Sequence, residues 1–98
     1  METSATPPTG SAIERVLVVQ NKMGIHARPA AMIVRLTSKF NGEVFFEKDD
    51  EQVNGKSIMG LLTLGVQPGA TVTLEADGED AAQVMDELEK LLTKDIIE

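Results

Sequence analysis

One short segment of the chain combines a histidine, an arginine and the start of a helix. Residues 24–30 read GIHARPA, and His26 is the only histidine in the sequence. Pro29 suits the first turn of a helix, where its missing N–H costs nothing, so we expect a helix from about Ala27. The positive end of that helix and the guanidinium of Arg28 can both attract an anion beside the imidazole. The segment therefore suggests phosphoryl chemistry on His26, although the spacing alone fits an inert surface histidine equally well.

A second candidate residue is Ser57, which precedes a short helix predicted from Ile58 to Leu64. Serine is a favoured helix N-cap, and that role alone explains the residue type. A phosphate on the hydroxyl would add about two negative charges at the helix start and would repel an acidic partner. The spacing favours the plain N-cap over a regulatory phosphoserine.

The short helix after Ser57 is apolar on more than one side. Leu61 and Leu64 can face the core, whereas Ile58, Met59 and Leu62 then point elsewhere. A small domain has no second core to cover them, and methionine suits surfaces that meet several partners. We therefore expect an exposed docking patch rather than a loosely buried helix.

Composition excludes several classes of protein. The chain has 98 residues, a formal charge of −7 and no cysteine, which predicts one domain without disulfides or cysteine-ligated zinc. The acidic balance argues against a nucleic-acid binder. Five basic residues without one acid nevertheless fall between positions 15 and 42, which indicates an electropositive face unless their placement is chance. They are Arg15, Lys22, Arg28, Arg35 and Lys39.

The pattern of apolar residues predicts an α+β domain of order βαββαβα, with helices covering one face of a mostly antiparallel sheet. We expect strands at 13–20, 43–48, 51–54 and 70–76, and helices from 27 to about 40, at 58–64 and from 81 onwards. Residues 1–12 are rich in Thr, Ser, Pro and Gly and read as a disordered tail before a domain at 13–98.

Known cofactor motifs are missing from the sequence. It contains no GxxxxGK[ST], GxGxxG, HExxH or GxSxG, so we expect no cofactor, no metal and no serine hydrolase chemistry. No apolar run approaches the ~20 residues of a membrane helix, and the N-terminus lacks the layout of a signal peptide. We expect a cytoplasmic monomer without membrane insertion.

From about Ile13 to Leu92 the sequence resembles the HPr family, the histidine phosphocarriers of the bacterial phosphotransferase system. Two motifs carry the resemblance, GIHARPA at 24–30 and VNGKSIMG at 53–60. The resemblance implies an open-faced β-sandwich, with four antiparallel strands and three helices on one side. It also implies a stoichiometric phosphocarrier rather than an enzyme.

The resemblance further assigns roles to individual residues. His26 would be phosphorylated on Nδ1 by enzyme I, with phosphoenolpyruvate as the source, and would pass the group to a IIA domain of a sugar permease. Arg28 would assist transfer, and Ser57 would be the target of an HPr kinase/phosphorylase in species that have one. The implied docking face has an apolar part and a basic part: Ile58, Met59 and Leu62, with Arg35, Lys39 and Lys56 on or near it.

Three alternatives stay open. A regulatory phosphocarrier could serve an incomplete or nitrogen-type phosphotransferase chain, although KSIMG favours the sugar type. An RNA-binding α/β plait could share the element order, but the chain has three phenylalanines, no tyrosine or tryptophan, and an excess of acids. A passive interaction domain would use only the apolar patch, and His26→Ala would then leave its activity intact.

Overall fold

The computed structural model describes residues 12–93, which form one four-stranded sheet and three helices. The elements follow the predicted order, and they confirm the α+β class. They are β1 (Ala12–Val18), α1 (Ala27–Thr37), β2 (Glu43–Lys48), β3 (Glu51–Asn54), α2 (Ile58–Leu64), β4 (Thr71–Asp77) and α3 (Ala81–Thr93). Apart from Ala12, the predicted tail at 1–12 lies outside the described residues. Residues 94–98 of the predicted domain at 13–98 also lie outside them.

The sheet is antiparallel throughout, with spatial order β1-β4-β2-β3. Its residues alternate between two faces, as β4 shows: Val72, Leu74 and Ala76 are buried, whereas Thr73 and Glu75 between them are half-buried. All three helices bury apolar residues in the same core, including Ile33, Leu61, Met85, Leu88 and Leu92. This arrangement is the open-faced β-sandwich that the resemblance implied. Within residues 12–93, no helix is long and apolar enough to cross a membrane.

The first helix is shorter than its apolar periodicity predicted. The helix ends at Thr37, and Phe40 is nevertheless buried. The chain reaches Phe40 through tighter turns, because Lys39 N donates to the carbonyl oxygen of Leu36 at 3.2 Å and Phe40 N to that of Thr37 at 3.0 Å. The periodicity therefore identified the right apolar side chains but placed the helix end too late.

Arg15 points toward α3 and pairs with two of its carboxylates. One guanidinium nitrogen, Nη1, lies 2.9 Å from both Asp86 Oδ1 and Glu89 Oε1. The hydrogen bond to Asp86 is the main reason that the pKa of Arg15 is raised above its ordinary value. Because α3 neutralises this charge, Arg15 does not contribute to the predicted electropositive face.

Candidate functional site

His26 lies at the N-terminus of α1, and its imidazole does not cap the helix. The residue is the N-cap, with extended backbone (φ −105°, ψ −165°), and its side chain makes no capping hydrogen bond. Its carbonyl oxygen accepts the first helical bond, from Ala30 N at 2.9 Å. The first turn contains no acidic residue. The half-exposed ring therefore lies beside the N–H groups and the positive dipole end of a helix start.

The two ring nitrogens of His26 have different surroundings. Nε2 is buried and has no hydrogen-bond partner among the described residues. The residue as a whole is half-buried, and Nδ1 is not among the buried side-chain atoms that lack a partner. The fold thus covers one of the two ring nitrogens.

The loop before His26 is held by backbone contacts. Gly24 N donates to the carbonyl oxygen of Asn21 at 3.0 Å, and Ile25 N donates to that of Val66 at 3.0 Å. The side chains of Ile25 and Asn21 are both buried, and Asn21 Nδ2 donates to the carbonyl oxygen of Leu91 at 3.0 Å. These contacts fix the direction in which the chain enters α1.

Arg28 lies in the first turn of α1, two residues after His26, and is exposed. Within residues 12–93 its guanidinium forms no ion pair, so its charge is available to an incoming anion. A phosphoryl group on the His26 ring would meet this cation and the helix start from the same end of α1.

Ser57 is the N-cap of α2, as the sequence predicted. Its Oγ accepts a hydrogen bond from Gly60 N at 3.0 Å, and its backbone is extended. Gly65 ends the helix in the left-handed conformation, which glycine adopts at little cost. The capping hydrogen bond explains why a serine stands at this position. The residue is half-buried, so part of it still reaches solvent.

The apolar surface of α2 divides as its spacing predicted. Leu61 and Leu64 are buried in the core, whereas Ile58 is 41% exposed and Met59 71% exposed. Leu62 is half-buried and packs against the core, so it contributes less surface than its predicted role required. The exposed patch therefore centres on Met59.

The predicted basic docking residues have different surroundings. Arg35 on α1 and Lys39, two residues after the end of α1, are both exposed, and they line a surface groove with Glu87 and Leu91 of α3. Lys56 differs from them, because its Nζ donates to the carbonyl oxygen of Phe40 at 2.6 Å. This contact was not expected from the sequence, and neither was the exposure of Met32, an apolar residue on α1 that is 36% exposed. Met32 lies three residues before Arg35, so both are on the same face of α1, and this spacing could have identified Met32 from the sequence.

Within the described part of the chain, no group of three or more His, Cys, Asp or Glu side chains is placed to hold a metal ion. The chemistry available at His26 is therefore that of the imidazole, the guanidinium of Arg28 and the start of α1. This set can accept and hold an anionic group.

Comparisons with known proteins show which family the chain resembles. A family model described as the PTS HPr component phosphorylation site matches residues 13–94. The HPr-like protein Crh of Halalkalibacterium halodurans is 41% identical over 83 residues, which cover 85% of this chain and 99% of the relative.

Solved structures give the same result. The phosphocarrier protein HPr from Bacillus anthracis superposes with a TM-score of 0.81 at 34% identity, covering 85% of this chain and 99% of that one. An HPr dimer from Thermoanaerobacter tengcongensis gives a TM-score of 0.63 at 45% identity, covering 76% and 86%. Fold and matches together define the class as a small phosphocarrier rather than an enzyme in the usual sense. The chain belongs to the HPr family.

Proposed function

We propose that this protein accepts a phosphoryl group on Nδ1 of His26 from phosphorylated enzyme I, which is charged by phosphoenolpyruvate. It then passes the group to the IIA domain of a sugar permease. The observation that carries the proposal is the state of the His26 ring. The ring stands at the start of α1 without capping it, and its Nε2 is covered by the fold.

The proposed reaction is two successive displacements at phosphorus. In the first, the Nδ1 lone pair forms an N–P bond while the bond between phosphorus and enzyme I breaks. In the second, a nucleophile of the IIA domain forms the new bond, and His26 recovers its lone pair. Such transfers depend mainly on positioning and charge stabilisation. Arg28 and the N–H groups at the start of α1 supply part of both, and each partner supplies the rest.

The docking face in this proposal spans α1 and α2. Ile58, Met59 and Leu62 give the apolar part, and Arg35, Lys39 and Lys56 lie on or near the basic part. A basic rim suits an acidic partner, and it speeds encounter by electrostatic steering.

We propose Ser57 as a regulatory site for an HPr kinase/phosphorylase where the organism has one. A phosphate on the hydroxyl would be compatible with the N-terminus of α2, because negative charge is favourable there. The same charge next to Ile58 and Met59 would repel an acidic partner. Regulation would then act on docking and not on the His26 ring.

Mass spectrometry after incubation with phosphoenolpyruvate and an enzyme I tests the main proposal. We expect one added phosphate on the wild type, which is lost in acid and does not form on His26→Ala. The enzyme I preparation must charge a known HPr in parallel. If that control is charged and the wild type is not, the carrier proposal is wrong.

The 41% identity to the HPr-like protein Crh favours a second candidate function. This candidate is a regulatory phosphocarrier of an incomplete or nitrogen-type phosphotransferase chain, which signals through the phosphorylation of His26 and Ser57. Transfer from the phosphorylated protein to purified IIA domains of sugar permeases distinguishes the two. Transfer supports the sugar-type carrier, whereas a phosphohistidine that no such domain accepts supports the regulator.

We also propose that the carrier works as a monomer in the cytoplasm, where enzyme I and phosphoenolpyruvate are available to it. A relative from Thermoanaerobacter tengcongensis is described as an HPr dimer, which makes the oligomeric state worth measuring. Light scattering during size-exclusion chromatography should give a mass close to the 10.6 kDa of one chain. Twice that mass would contradict the proposal.

A further inference from the structure

The segment between β3 and α2, residues 54–57, is fastened to the far end of α1 by two side chains. Thr37 is the fully buried last residue of α1, and its Oγ1 donates to the carbonyl oxygen of Gly55 at 2.9 Å. In the other direction, Lys56 Nζ donates to the carbonyl oxygen of Phe40 at 2.6 Å and lies 6.0 Å from the centre of the Phe40 ring. The segment cannot slide along α1 without breaking both hydrogen bonds.

The fastened segment is itself held by backbone and side-chain contacts. Asn54 Oδ1 accepts a hydrogen bond from Lys56 N at 2.8 Å, and the carbonyl oxygen of Asn54 accepts one from Ser57 N at 3.1 Å. Gly55 N donates to the carbonyl oxygen of Val44 in β2 at 2.7 Å. Because Ser57 is the N-cap of α2, these contacts fix where α2 begins.

We propose that Thr37 and Lys56 are positioning residues, which hold the docking helix α2 in register with α1, the helix that carries His26. This inference rests on the proposed function, because a partner that takes the phosphoryl group must meet His26 and the Met59 patch at the same time. A preformed arrangement of the two helices lowers the cost of binding. Lys56 thus acts on the partner through Phe40 and not by presenting its ammonium group.

The chemistry of the Lys56 contact suits this role. A hydrogen bond from a charged donor is stronger than one between neutral groups, and the carbonyl groups that follow α1 lie at the negative end of its dipole. Arginine also carries a permanent charge and could reach the same carbonyl oxygen. Methionine has a similar length but cannot donate, so Lys56→Met removes the contact while keeping most of the packing.

The test measures how enzyme I phosphorylates Lys56→Met, Thr37→Val and the double variant. For each single variant we expect KM to rise about fivefold, which corresponds to about 1 kcal/mol, while kcat stays within about twofold. The double variant should be no worse than either single one, because the loss of either hydrogen bond already releases the same segment from the end of α1. We expect Lys56→Arg to restore the wild-type KM, and Lys90→Met, at an exposed position of α3, to leave it unchanged.

Thr37 makes the test decisive, because it is fully buried and cannot touch a partner. A docking cation would also give a KM effect that shrinks in high salt, since salt screens exposed charges. A positioning residue gives the same KM ratio at low and high salt. A KM rise in Lys56→Met alone, reduced by salt, would therefore overturn the proposal and make Lys56 a direct docking residue.

Amide hydrogen exchange tests the same proposal without any partner. We expect faster exchange at the amides of Gly55 and Ser57 in both single variants, and wild-type exchange at Val19, whose amide bonds to Ala70 far from this segment. Unchanged exchange at Gly55 and Ser57 would overturn the proposal. If enzyme I fails to phosphorylate the wild type, the proposed function is wrong, and the exchange measurement still decides the positioning role. Lys56 is half-buried, so its variant stays testable even if Thr37→Val does not fold.

Discussion

The α-carbon of Gly24 lies directly against the carbonyl oxygen of Val66, the same oxygen that accepts the Ile25 amide at 3.0 Å. A Cβ at Gly24 would overlap that oxygen, and the backbone φ of 69° is in the left-handed region that side chains disfavour. His26 follows two residues later. The contact between Gly24 and Val66 therefore sets the point from which the imidazole emerges.

Gly24→Ala should lower both stability and phosphoryl transfer. A left-handed residue with a side chain costs about 1–2 kcal/mol, and the overlap with Val66 adds to this cost. We expect the free energy of unfolding, measured by urea titration, to fall by more than about 2 kcal/mol. The loop must also move, so we expect the rate of enzyme I-dependent phosphorylation of folded protein to fall at least about tenfold.

Gly69→Ala is the matched control for this prediction. Gly69 also has a positive φ, 85°, but no atom lies within 4 Å of the Cβ that alanine would add. It should therefore lose only about 1–2 kcal/mol of stability and keep its phosphorylation rate. Equal effects of the two substitutions on phosphorylation would show that the Val66 contact does not position His26.

Substitutions at Ser57 can separate capping from charge. Ser57→Ala removes the acceptor of the Gly60 amide, and we expect it to lower the free energy of unfolding by about 1 kcal/mol. Asparagine and aspartate are both good N-caps, so Ser57→Asn and Ser57→Asp should keep the free energy of unfolding within about 0.3 kcal/mol of the wild type.

Charge at Ser57 should act on docking alone. We expect Ser57→Asp to raise the KM of the enzyme I reaction about tenfold, less so at high salt, because the added carboxylate repels an acidic partner. Ser57→Asn, which is neutral, should leave KM unchanged. An equal rise in KM for both variants would mean that shape rather than charge controls docking at this position.

Local patterns predicted most of this fold. The strands predicted at 43–48 and 51–54 show why: they leave Asp49 and Asp50 as a two-residue hairpin loop, and both residues have the positive φ, 52° and 68°, that such a loop requires. The caps at His26 and Ser57 likewise depend on neighbouring residues only. These features were visible in the sequence because their physical causes lie within a few residues.

Contacts between distant segments were not predictable in this way. Arg15 meets a carboxylate 74 positions later, and no local signal indicates that partner. The bond from Lys56 to Phe40 depends on how α2 packs against α1. For the same reason, the burial of Nε2 in His26 was not foreseen, because it results from the assembled loop and helix. The candidate residues could be named from the sequence, but their partners required the fold.

The pairing of Arg15 with α3 should make a small contribution to stability. The Arg15 side chain is 29% exposed, and Asp86 is 65% exposed, so solvent screens the interaction. Exposed ion pairs contribute about 0.2–1 kcal/mol each. We expect Arg15→Met, which keeps an unbranched stem, to lower the free energy of unfolding by about 1 kcal/mol or less. The difference in free energy of unfolding between the wild type and Arg15→Met should shrink in 1 M salt, where the Debye length falls to about 3 Å and ion pairs are screened. A difference that salt leaves unchanged would show that Arg15 stabilises the fold through packing of its aliphatic stem instead.

Met59 offers the sharpest test of the docking patch, because a residue that is 71% exposed has little to do with stability. Met59→Gln should change the free energy of unfolding by no more than about 0.5 kcal/mol. If the patch binds partners, loss of its central apolar side chain should raise the KM of enzyme I about fivefold to tenfold. This is the range of a residue that contributes more than about 1 kcal/mol to an interface.

Val16→Thr is the control for Met59→Gln. Val16 is 61% exposed on the opposite face of the sheet, and threonine keeps the branched shape of valine. It should alter neither stability nor KM. Should Val16→Thr raise KM as much as Met59→Gln, docking would not be confined to the side of the sheet that carries His26.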